Sequence, residues 1–124
     1  MRLLAAGLLA LALVPTAALA KSRLVLEETV QPGRSATVTV TTQRRASFAV
    51  VLRVPTQGRA RLYLTGRSVP RGGPLMDTKT YACEGAAGSF YCRGAYEPLP
   101  RGTYTWRVAW AGRAPAHVVL TVRW

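Results

Sequence analysis

The chain has 124 residues, with 17 Lys or Arg against five Asp or Glu, and a formal charge of +12 at neutral pH. That length admits one small domain with a modest core and excludes a second. The charge draws anions such as nucleic acid, lipopolysaccharide, teichoic acid or acidic glycans, although 15 of the 17 cations are Arg, a bias that GC-rich codon usage also produces.

Met1-Arg2 is a short positive start, Leu3 to Val14 is an apolar run, and Pro15 leads to Ala18-Leu19-Ala20, a small-x-small peptidase site. Residues 1–20 therefore read as a cleaved export signal, with Lys21 as the mature N-terminus. The run from 3 to 14 is well short of the ~20 residues needed to span a bilayer, so a membrane anchor is the weaker reading. Export would leave a domain at 21–124 carrying +11, in the periplasm or outside the cell, with no stable membrane insertion after cleavage.

Period-two alternation dominates the rest, and no stretch has a helical period. Leu24, Leu26 and Val30 alternate with Arg23, Glu27 and Thr29. After the Gln31-Pro32-Gly33 turn, Ala36, Val38 and Val40 share one face and threonines the other. Phe48, Val50, Leu52 and Val54 form one side of a third strand that Pro55 ends. In the fourth, Ala60, Leu62 and Leu64 point inward and Arg59, Arg61 and Tyr63 outward. Residues 65–80, with Gly66, Pro70, Gly72, Gly73 and Pro74, read as a long surface loop. Tyr104, Trp106, Val108 and Trp110 share the apolar face of the strongest strand, and Val118, Leu120 and Val122 that of the last. Seven or eight short antiparallel strands, each with one apolar face, imply an all-β sandwich of jelly-roll or immunoglobulin-like type, with a barrel as the runner-up.

Cys83 and Cys92 are the two cysteines, and they flank the glycine-rich Glu84–Ser89 turn. An oxidising compartment makes a hairpin disulfide the expected state. A closed metal site lacks ligands, because His117 is the single histidine and Glu84 the one nearby carboxylate. No cofactor is expected.

Catalytic constellations are scarce. His117 lies on the polar side of the last strand, Asp77 is the single aspartate, and adjacent Glu27 and Glu28 point to opposite faces of a strand. No serine sits in a nucleophile elbow. Binding is the better expectation. Trp106 and Trp110 read as core, whereas Tyr63 shares an outward face with Arg59 and Arg61, where an aromatic beside guanidiniums can stack on a ligand while the cations hold an anion. Arg53, Arg59, Arg61, Tyr63 and Arg107 are the candidate binding residues.

Gly58-Arg-Ala-Arg-Leu-Tyr-Leu64, Tyr81-Ala-Cys83, Cys92, Leu99-Pro-Arg-Gly-Thr-Tyr104 and Val118-Val-Leu-Thr-Val122 occur in that order. The series resembles the bacterial pre-peptidase C-terminal domain, over about the last 80 residues. The resemblance implies a jelly-roll-like, non-catalytic module of the kind appended to secreted proteases. Arg59 and Arg61 stand where that family's strand has aspartates, which argues against calcium binding. No protease domain accompanies the module, which implies action alone or on a partner encoded elsewhere.

The sequence therefore points to an exported, non-enzymatic binding module for an extracellular or periplasmic polymer, such as an anionic glycan, cell wall or a protein substrate. Nucleic acid would bind only non-specifically. The alternative is a periplasmic assembly factor, chaperone or inhibitor of a secreted enzyme.

Overall fold

Alternating strands must bury their apolar sides, and here two sheets do so against each other. The computed structural model describes residues 22–69, 72–79, 84–86, 89–95 and 97–124. Residues 1–20, expected to be an export signal, lie outside the described residues together with Lys21 and Cys83, and so does the expected Cys83–Cys92 pairing. The strands are β1 (Arg23–Val30), β2 (Ser35–Thr42), β3 (Ala49–Val54), β4 (Gly58–Gly66), β5 (Met76–Asp77), β6 (Glu84–Ala86), β7 (Ser89–Ala95), β8 (Gly102–Gly112) and β9 (Ala116–Arg123). No helix among the described residues is long and apolar enough to cross a membrane.

One sheet has the order β1-β9-β3-β7-β6 and the other β2-β8-β4-β5, with every pairing antiparallel. Successive strands from β1 to β4 change sheet each time, and β7, β8 and β9 do the same. That is the interlocked double Greek key of a jelly roll. An immunoglobulin-like sandwich would keep its first two strands in one sheet, which β1 and β2 are not. A barrel would need ladders joining the two sheets, and none occurs among the described residues.

The core lies between the layers. Leu52, Val118, Leu120 and Val122 from the first sheet meet Ala60, Leu62, Trp106 and Val108 from the second, all fully buried. Phe48, between β2 and β3, sets its ring edge-on to Tyr104 and Trp106, with centroids 5.4 and 5.5 Å apart. Such contacts favour one packing beyond the area they bury.

Two backbone features place β8 and its neighbours. Gly33 has φ +75° and follows Pro32, and the Arg34 N–H donates to the Gln31 carbonyl at 3.0 Å, so Gln31–Arg34 form a type II turn. The Gly33 N–H then donates to the Trp110 carbonyl, and the Trp110 N–H to the Arg34 carbonyl, at 2.9 and 3.0 Å. Arg34 is thereby fixed beside β8. Gly58 and Gly112 face each other across β4 and β8, with the Trp110 indole against both. A Cβ on either would come within 2.4 or 2.3 Å of a ring carbon.

The expectation of a loop throughout 65–80 needs correction. β4 continues to Gly66, and Met76-Asp77 add a short edge strand to it, with both residues buried. Met76 reaches the core, and hydrogen bonds on both sides of it fix the strand. Leu75 N–H donates to the Leu62 carbonyl, Thr78 N–H to the Ala60 carbonyl, and Ala60 N–H to Thr78 Oγ1, at 2.8, 3.1 and 3.0 Å.

Candidate functional site: a cationic trough over β8

The outer face of the β2-β8-β4 sheet is built in cross-strand rows. Thr41 pairs with Thr103, and Thr39 with Thr105 beside Thr65. Thr37, Arg107 and Tyr63 form the next row, then Ser35, Ala109 and Arg61, and finally Ala111 beside Arg59. Small side chains at Ala109 and Ala111 on the central strand, flanked by long ones on β4 and at the β2 turn, leave a trough of about 310 Å³. Arg34 and Ser35 line it on one side, Arg59 and Arg61 on the other. Tyr63 and Arg107 close its end.

The arginines are not equivalent. Arg59 donates through Nε and Nη2 to the two carboxylate oxygens of Asp77, at 2.9 and 2.5 Å. Asp77 is 3% exposed, and its Oδ1 also accepts the Lys79 N–H at 3.0 Å. The Arg59 hydrogen bond, outweighing the opposing effect of burial, holds the Asp77 carboxyl down at about 2. Arg61 lies 3.7 Å from the same carboxylate and keeps 42% of its side chain exposed. Arg107 stacks its guanidinium 4.2 Å from the Tyr63 ring centroid and reaches Ser35 Oγ at 3.3 Å. Stacking leaves the in-plane N–H donors of a guanidinium available to a ligand.

Of the five residues singled out from the sequence, the structure brings together Arg59, Arg61, Tyr63 and Arg107. Arg53 does not join them. It lies on β3, on the outer face of the other sheet, 5.8 Å from the Tyr91 ring centroid. The expectation that Arg59 and Arg61 are both free to meet anions is also corrected, because Arg59 is committed to Asp77. Tyr63 carries Arg107 on its ring rather than standing open between Arg59 and Arg61.

Two contributors escaped the sequence reading. Arg34 is signalled by the Pro32-Gly33 turn that fixes its backbone. The floor is signalled by Ala109 and Ala111, the small outward residues either side of inward Trp110.

The remaining reactive groups are dispersed. His117 Nε2 contacts Glu27 Oε1 at 2.8 Å on the outer face of the β1-β9-β3 sheet, away from Asp77 on the other layer. Among the described residues no three His, Cys, Asp or Glu side chains gather as a metal set would. No protein-family model matches the chain, and no curated protein matches it.

Proposed function

We propose that the domain is an exported, non-catalytic module that binds an anionic extracellular or periplasmic polymer in the trough over β8. The observation that carries this reading is the division of labour among the arginines. Asp77 takes both hydrogen bonds of Arg59 and lies 3.7 Å from the half-exposed Arg61, while Arg34 and Arg107 complete the cationic wall around a floor of small residues. An extended chain laid along β8 would meet three cations and the Tyr63 edge in succession. Nucleic acid would be held by its phosphates alone, without sequence preference. The resemblance to pre-peptidase C-terminal domains supports an accessory role, and the leader at residues 1–20 supports export, which an intact mass beginning at Lys21 would verify.

Because the contacts are ionic, binding should release counterions and weaken steeply with salt. Three engaged cations correspond to a loss of roughly 20- to 40-fold between 50 and 200 mM salt. Titrating labelled heparin into the mature domain at several salt concentrations tests the proposal. Affinity indifferent to salt would refute it.

A further inference from the structure

We propose that the stacked Tyr63–Arg107 pair is the waist of a two-part site for an anionic amphiphile, a phosphate head carrying one alkyl chain as in a monoacyl phospholipid. The inference rests on reading the trough as an anion site and extends it past the waist. On the far side of Tyr63 and Arg107 lies a second depression of about 640 Å³, lined by Leu64, Val69 and Leu75 together with Gly66, Gly72 and Gly73. Its character is different from that of the trough, because glycines open the space and its aliphatic lining is the edge of the core, with Leu64 buried and Val69 and Leu75 half-buried against it. Arg67 stands at its rim, and among the described residues no acidic side chain lines it.

The two depressions share Tyr63 and Arg107 as a common wall. Register explains the apolar side. β5 sets Met76 opposite Leu62 and Asp77 opposite Arg61, so alternation turns Met76 into the core and brings Leu75 beside Tyr63, half-buried with one side against the core. Rows two residues apart on a strand are separated by about 7 Å. Head and tail subsites are therefore within reach of one small molecule. Arg61 and Arg107 would hold the head group, the Tyr63 ring would flank the first carbons, and the chain would lie on Leu75 and Val69. Apolar surface alone would not choose an occupant; the cations at its mouth select an anionic one.

A series of n-alkyl phosphates from butyl to octyl, used as monomers, tests the proposal against glycerol 3-phosphate. Each methylene that enters the recess should raise affinity by up to about fourfold, until the recess is full. Leu75→Ser and Val69→Ser should each flatten the dependence on chain length while leaving the salt dependence of heparin binding unchanged. Arg61→Ser should lower the affinity of every member. Melting temperatures show whether each variant is folded, and either of the two apolar variants suffices if the other is not. Equal affinity across the series, or a dependence that both apolar variants leave intact, overturns the two-part site while the polymer reading stands. Absence of binding by every phosphate together with salt-insensitive heparin binding overturns the trough itself.

Discussion

Asp77 receives both hydrogen bonds of the Arg59 guanidinium across the β4–β5 pairing, and this turns one of the four clustered arginines into scaffold. A carboxylate with 3% exposure needs such a partner, since burial without one would cost several kcal/mol. The same contact ties the edge strand to the sheet that carries the trough.

Acid should loosen this link in a defined window. Asp77 has a folded value of about 2 against 3.8 for a free side chain, so its contribution to stability is complete above about pH 4 and is lost as pH falls towards 2. Asp77→Asn should remove that part of the acid dependence and destabilise the domain by about 1–3 kcal/mol, towards the lower end because Arg59 is about one-third exposed. Freed of its partner, Arg59 should also make heparin binding steeper in salt. Chemical denaturation from pH 7 to 2, with heparin titrations on the same variant, checks both.

Gly112→Ala should cost about 1–3 kcal/mol, because the new Cβ would overlap the Trp110 indole. Gly72→Ala meets nothing within 4 Å and serves as the control. Thermal melts of the two variants should differ by several degrees; equal melts would show that the indole can move aside.

Cys92 is buried on β7, and β6 pairs with that strand at Glu84↔Tyr91, residues adjacent in sequence to Cys83 and Cys92. We expect the two cysteines to be joined in exported protein. Iodoacetamide under denaturing conditions without reductant should leave both unlabelled, and two labels after reduction should appear; two labels before reduction would refute the pairing.

Calcium should not alter stability. A hard cation requires several oxygen ligands, and Asp77 is already engaged by Arg59. Melting curves in calcium and in chelator should superimpose, and a rise of several degrees with calcium would reveal a site elsewhere.

Much of the architecture was legible because burial on a sheet has period two. The inward faces 48–54, 60–64, 104–110 and 118–122 follow directly from alternation, and all reach the core. β5 was not legible. Its two residues carry no pattern, and hydrogen bonds to β4 and the distant Arg59 hold them rather than a run of apolar side chains. The site was half legible for a related reason. Alternation put Arg59, Arg61 and Tyr63 on one face, but adding Arg107 and removing Arg53 depends on which strands are neighbours, and strand order is set by the whole topology.

That separation of faces supplies the most direct test of a localised anion site. Arg61→Ser with Arg107→Ser removes two charges from the trough, and Arg53→Ser with Arg123→Ser removes two from the outer face of the opposite sheet, where all four positions are solvent-accessible. Heparin affinity at about 50 mM salt, with its salt slope, is the measurement. The trough pair should lose at least tenfold more affinity than the opposite pair and reduce the salt slope by about 2. Equal losses from the two pairs would contradict a site and leave only a uniformly basic surface.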